Sequence, residues 1–391
     1  MQASSRCVSQ ISSQGKQPHV VATYATGVSL HSHTSVSEET LSFIQVMSAK
    51  IPGVQKIQAH YEARCAGRYG LKLDFERANW RPPLQPKMAY ECEASQIEKL
   101  GLKALVSITD HDTIEACQLL RTVPRSRHIP VSVEWSAPYG ATVFHIGIHN
   151  LPSSDGHEWM RRFAAYTANP DDLLLMMLLR ELHEYPQILI VLNHPMWDLH
   201  SVGEVHLNEL RRFLSEARSC IHALELNGLR HAKENRAVVN LARETGHLVI
   251  SGGDRHGIEP NANINLTSAA NFTEFVEEIR VERRSHVHFM SQYSERWEQR
   301  ILKSTLVAVN DYPNFMPGWQ RWDDRVFHPD ANGEMQQLSQ LWACGRPPYA
   351  VTAAILATRL LGLKGLSAPL SLAFPGVNEM GSGIGADFEL G

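Results

Sequence analysis

The chain has 391 residues, a formal net charge of −4, twenty histidines and six cysteines. That length admits two or three domains, or one large α/β barrel with additions. With so weak a net charge, binding of long duplex nucleic acid by charge alone is not expected, and six scattered cysteines (Cys7, Cys65, Cys92, Cys117, Cys220, Cys344) without a C-x-x-C pair read as reduced thiols of a cytoplasmic protein.

In chain order, the N-terminal stretch MQASSRCVSQISSQGKQ lacks an apolar core of leader-peptide length and reads as a disordered tail over 1–19. Seven short β-rich runs follow: GVSLHSH (27–33), ALVSITDH (104–111), HIPVSVEWS (128–136), ATVFHIGIHN (141–150), QILIVLNHP (187–195), IHALELNG (221–228) and HLVISGGDRH (247–256). Most are apolar on both faces, as in strands covered by helices. Amphipathic segments separate most of them, including Asp171–His183, Leu207–Ala217 and Ala232–Thr245. This alternation predicts a parallel α/β barrel. One link departs from it: Ser136–Gly140 is too short for a helical crossover and reads as a turn, so the flanking strands are expected to run antiparallel or to distort the barrel.

Residues 40–95, broken by Arg81-Pro82-Pro83 and Pro86, read as an insertion after the first strand. Beyond residue 293 the strand–helix alternation stops, but several tryptophans (Trp297, Trp319, Trp322, Trp342) point to an ordered accessory region, 293–391, packed on a barrel of 20–292. The apolar stretch Tyr349–Phe374 is interrupted by Arg359, Lys364 and prolines, which favours a packed helix over a membrane span. The late Gly381–Gly385 run lacks the spacing of a phosphate loop and reads as a flexible end.

Metal-ligand residue types gather where the predicted strands end. In a strand, alternate side chains share a face, so His31 and His33 project together, one pleat apart. Two imidazoles so placed can hold one cation. Asp110-His111-Asp112, Glu134, His145, His194 and Asp254 with His256 end or follow later strands. In a barrel these ends converge on one rim. Asp110 and Asp112 can orient a ligand imidazole or cap the helix beginning near Thr113. Arg255 can clamp a phosphate, and Asn227, at the end of the sixth strand, can contact substrate. His149, His157, His183, His200, His206, His222, His231 and His247 fit no motif and read as surface or structural histidines.

The motifs HSH, TDHDT, VEWS, FHIG, NHP and SGGDRHG, in this order over residues 27–260, resemble the PHP (polymerase and histidinol phosphatase) superfamily. The resemblance implies a distorted seven-stranded β/α barrel with a trinuclear metal site that hydrolyses phosphoesters. It puts His31, His33, Glu134 and Asp254 on one metal, with Glu134 bridging to a second held by His145 and His194, and so implies Glu134, Asp254 and His194 as the candidate catalytic set. A third falls to His111, His256 and the ligand after the first motif. That position is Glu38 here, where the family has Asp or His, and Glu39 competes for it. The donors are nitrogen and oxygen, which suits zinc, manganese or iron.

The function expected is hydrolysis of a small phosphorylated compound, a nucleotide or a short oligonucleotide, without a membrane partner. Amidohydrolase or deaminase barrels also use His-X-His and a late Asp, but do not need TDHDT or His256. A non-catalytic nucleotide-binding barrel is the remaining alternative.

Overall fold

A computed structural model describes residues 8–41, 74–196, 203–312, 318–342 and 345–361, with a few more between 59 and 72. The Gly381–Gly385 run, residues 42–58 of the expected insertion, Cys7, Cys65, Cys344 and His200 lie outside the described residues.

All seven sequence-predicted strands form: β2 (Thr26–Ser29), β5 (Lys103–Val106), β6 (Val131–Tyr139), β7 (Thr142–Leu151), β8 (Leu189–Leu192), β9 (Ala223–Asn227) and β10 (Leu248–Gly252). Three more strands in the same sheets were not read from the sequence: β1 (Val8–Ser13), β11 (Asn263–Thr267) and β12 (Arg284–Phe289); nor were the four short strands of a third sheet. Residues 8–13, expected in a disordered tail, pair in parallel with β12 from Val8↔Arg284 to Ser13↔Phe289.

These strands form two five-stranded sheets, ordered β1–β12–β11–β2–β5 and β10–β9–β8–β7–β6. The fold is mixed α/β, and neither sheet closes on itself. β6 and β7 form an antiparallel hairpin, as the short link predicts, with Gly140 in the left-handed region (φ 54°). Single parallel bridges join the ends of the sheets, His111↔Glu134 beyond β5 and Ser32↔Arg255 beyond β2 and β10.

Helices cover the apolar strand faces. They are α1 (Pro86–Glu98), α2 (Glu115–Arg121), α3 (Gly156–Ala168), α4 (Asp172–His183), α5 (Glu204–Glu216), α6 (Ala232–Thr245), α7 (Phe272–Arg280) and, in the C-terminal region, α8 (Trp297–Val309) and α9 (Tyr349–Leu361). α6 shows why such segments fold. The His231 side chain caps its start by accepting from Lys233 N, and Gly246 ends it with φ 73°. Between these signals Val238, Val239, Leu241 and Ala242 are buried. Burial of each large apolar side chain contributes about 1.5–3 kcal/mol. Among the described residues no helix is long and apolar enough to cross a membrane.

A small sheet, β3 (Glu39–Thr40), β4 (Asn79–Trp80), β13 (Val326–Pro329) and β14 (Met335–Gln337), joins the expected insertion to the C-terminal region in the order β14–β13–β4–β3.

Candidate metal centre

The site forms where the chain leaves β2, β5, β8 and β10 and where β6 and β7 pass beside these exits. On β6, Val133, Trp135 and Ala137 join the apolar core. Glu134 therefore points to the opposite face, fully buried. Its Oε2 lies 2.9 Å from His31 Nε2, 3.2 Å from His33 Nε2 and 3.3 Å from His111 Nε2. Its Oε1 lies 3.3 Å from His194 Nε2 and 3.4 Å from His145 Nδ1. Asn193 Nδ2 donates to the same oxygen at 2.9 Å. Asp254 Oδ1 stands 3.4–3.6 Å from His31, His33 and His256.

Four groups of donor atoms within 4.8 Å of one another result: His33, Glu39, His111 and His256; His31, His33 and Glu134; His31, His194 and Asp254; and His111, Glu134 and His145. The residues fit divalent cations. Their donors are nitrogen and oxygen in overlapping sets of buried and half-buried residues, and His33 Nε2 is buried without a hydrogen bond.

Three of these residues adopt left-handed backbone, His31 (φ 60°), His194 (φ 27°) and Asp254 (φ 54°). Such angles are costly for non-glycine residues and cluster at functional sites. Here they turn the chain sharply at strand ends, so that consecutive side chains do not simply alternate.

The electrostatics are those of interleaved opposite charges. Burial alone would push the His31 imidazole down, but the Glu134, Glu225 and Asp254 carboxylates hold it well above its ordinary value. His111 is likewise opposed by burial, yet Glu134 and Glu39 hold it up at about 10. Conversely, burial would raise Glu134, Glu39 and Asp254, but the surrounding imidazoles keep all three well below the usual carboxylate range. The cluster thus keeps its carboxylates ionised and demands positive charge, whether protons or metal.

Glu38, expected among the ligands, stands apart from the donor cluster. Its half-exposed side chain pairs with Arg81 at 2.5 Å. Glu39 takes the inward place, with Oε2 3.0 Å from His256 Nε2 and 3.3 Å from His111 Nε2. The reason is strand alternation: Glu39 begins β3, and its neighbour faces the other way.

Arg255, expected as a phosphate clamp, has its guanidinium engaged within the protein. Its side chain turns away into the interior, donating to Glu93 Oε1 at 2.7 Å, Gly257 O at 2.7 Å and His33 O at 3.0 Å. Asn227 is occupied within the protein. Its Nδ2 donates to Glu225 Oε2 and Asp254 Oδ2, and its Oδ1 accepts from the Leu229 and Arg230 amides. Asp110 accepts from Thr34 N at 2.6 Å and Thr34 Oγ1 at 2.8 Å, and burial pushes it up to about 6. Asp112 accepts from Ser136 N. Both carboxylates hold backbone beside the site, not an imidazole.

Glu225 was missed. It receives His31 Nδ1 at 2.5 Å and His194 N at 2.7 Å. The signal was present in Ala223-Leu224-Glu225-Leu226-Asn227, where polar residues alternate within an apolar strand. Gly252 makes room for it, since a Cβ there would overlap the Glu225 carboxylate. Of the histidines outside the motifs, His149 bonds Ser107, His206 bridges Thr142 and Pro195 O, His183 pairs with His222, and His157 lies on the surface.

Beside Asp254 and His256 opens a cavity of about 260 Å³, lined also by Arg300, Lys303, Val307 and Tyr312 of the C-terminal region.

No known protein-family profile matches the chain, and no curated protein does. Solved structures similar to it include an amidohydrolase from Chromobacterium violaceum, at 16% identity over 45% of this chain and 84% of that one, with a TM-score of 0.32. Another, from Bifidobacterium adolescentis, is assigned as a metal-dependent phosphoesterase, at 15% identity over 51% and 91% and a TM-score of 0.32. PsfC from Pseudomonas syringae matches at 12% identity over 56% and 87%, with a TM-score of 0.36. Likenesses this slight carry no argument about activity.

Proposed function

We propose that the chain is a metal-dependent hydrolase of phosphoesters that holds three divalent cations, manganese, zinc or iron. The observation that carries this reading is Glu134: one buried carboxylate with both oxygens set among five imidazoles. Cations close together need a shared carboxylate to screen their repulsion, and Glu134 is placed to serve. Asp254 and His194 flank it, and Glu39 with His33, His111 and His256 forms the outer position. When bound, such cations make water acidic enough to attack at neutral pH and stabilise charge on phosphate oxygens. The chain's own part is to fix the donors. Glu225 orients His31, Asn193 orients Glu134, and Asp110 holds the turn after His33.

In this reading β2 and β5–β10 form a distorted seven-stranded β/α barrel spanning residues 20–292. The two bridges at the sheet ends support that ring, because they link β5 towards β6 and β10 towards β2. Residues 293–391 are then an accessory region, of which Arg300, Lys303, Val307 and Tyr312 line the cavity beside Asp254 and His256.

The test is phosphate release by manganese-reconstituted protein from a panel of mononucleotides, sugar phosphates and short oligonucleotides, with a chelated control. Metal-dependent release that Glu134→Gln abolishes supports the proposal. No release from any member, with metal content confirmed, refutes it. Hydrolysis of amides or lactones without phosphate release transfers the reading to an amidohydrolase.

A further inference from the structure

The C-terminal region reaches the candidate metal centre through the small sheet. Glu39 pairs with Trp80 across β3 and β4, and Trp80 pairs with Val326 of β13. Strands of two residues, as β3 and β4 are, have little stability of their own. Their placement depends on β13.

Arg325, at the head of β13, pins the junction. It is 1% exposed. Its Nη2 donates to the Val307, Ala308 and Asn310 carbonyls at 3.0–3.2 Å, which satisfies the end of α8. Its Nη1 reaches Arg81 O at 3.4 Å, and Arg81 N donates back to Arg325 O at 2.9 Å. The guanidinium lies 5.7 Å from the Trp80 ring and 5.1 Å from the Tyr312 ring. Trp80 in turn stands 6.4 Å from the His256 ring, tilted by 30°. One buried cation therefore fixes the angle between α8, β13 and the strand pair that carries Glu39. A planar fork with several donors suits this role, and a lysine would not reproduce it.

We propose that Arg325 is a positioning residue for Glu39, and that the metal position formed by His33, Glu39, His111 and His256 is complete only while the C-terminal region is docked. The inference rests on the reading of that cluster as a metal centre. It makes the accessory region part of the centre, acting through Trp80 on Glu39 and His256 together.

The test uses the full-length chain, with manganese equivalents counted by elemental analysis and stepwise affinities measured by chelator competition. Arg325→Ala should weaken one equivalent by about tenfold or more and leave the others in place. Glu39→Gln should weaken the same equivalent, and the double variant should add little to either. Wild-type affinities for every equivalent in Arg325→Ala overturn the proposal, and so does a loss spread evenly over all of them. Should Arg325→Ala fail to fold, amide exchange on the unsubstituted chain decides. Coupling is reciprocal, so filling the last equivalent should slow exchange at Trp80, Arg81 and Val326, and unchanged exchange there overturns the proposal. An unsubstituted chain that takes up no manganese would instead refute the metal-centre reading.

Discussion

Glu225 accepts from His31 Nδ1 at 2.5 Å, which leaves Nε2 of the same ring facing Glu134 at 2.9 Å. The carboxylate thereby selects the tautomer and ring orientation that present Nε2 to a cation. Glu225→Ala should weaken metal binding by about 10–100-fold while the fold persists. Chelator competition followed by absorbance checks it, and unchanged affinity would show that His31 is held by packing alone.

Gly252 gives an independent handle on the same contact. Gly252→Ala places a methyl group against the Glu225 carboxylate and should destabilise the chain by about 1–3 kcal/mol through overpacking. Combined with Glu225→Ala, much of that cost should disappear. Urea unfolding of both single variants and the double variant gives the coupling, and strict additivity would contradict a direct clash.

Glu38 and Glu39 are adjacent and chemically identical, yet their substitution should have opposite weight. Glu38→Ala removes a surface ion pair with Arg81, worth about 0–1 kcal/mol, and should leave metal content and phosphate release near wild type. Glu39→Ala removes a carboxylate shared by three imidazoles and should lose metal and activity. Metal content of both variants after gel filtration decides, and equal effects would refute the alternation argument.

That pair also shows what local sequence can and cannot carry. HSH, TDHDT, VEWS, NHP and SGGDRHG place most of the cluster, because each residue type stands at the end of an apolar run. Which of two adjacent glutamates faces inward depends on pairing with Trp80, forty-one positions later in the chain. β11 and β12 were illegible for a related reason. Their polar residues are buried by distant partners: Asn265 bonds Ser251, Asn263 bonds Leu226 O, and His286 and His288 share Ser12. Those polar faces read as loop until the partners are known. Ser12 likewise lies in a segment that looks disordered in isolation, because its strand has little apolar content without β12.

Arg255 separates a structural from a substrate-binding role. It is 5% exposed and paired with the fully buried Glu93. Breaking such a pair from one side leaves an uncompensated charge and costs about 3–5 kcal/mol. Arg255→Met should therefore lower the denaturation midpoint strongly, whereas a phosphate clamp would mainly raise KM. Thermal melts with steady-state kinetics at permissive temperature distinguish them, and a raised KM with unaltered stability would restore the clamp.

Acid stability should reflect histidines outside the site. Burial holds His149 at about 3, with the His31 charge adding to the effect, and holds His247, His286 and His288 at about 4. The folded chain keeps these rings neutral at pH values where the unfolded chain protonates them. Their stabilisation is thus complete above about pH 6.5 and is lost as pH falls towards the folded values. Each ring contributes a slope of up to about 1.4 kcal/mol per pH unit within that window. His31 and His111 act with the opposite sign, since their carboxylate neighbours hold them up. Their contribution is fully present below about pH 6.5, constant through the acid window, and lost only as pH rises through the folded values. Urea unfolding of chelated protein between pH 6 and 5 should therefore show falling stability, and His149→Gln should flatten the slope. A stability that stays level across that interval would mean that these four rings take up protons without unfolding.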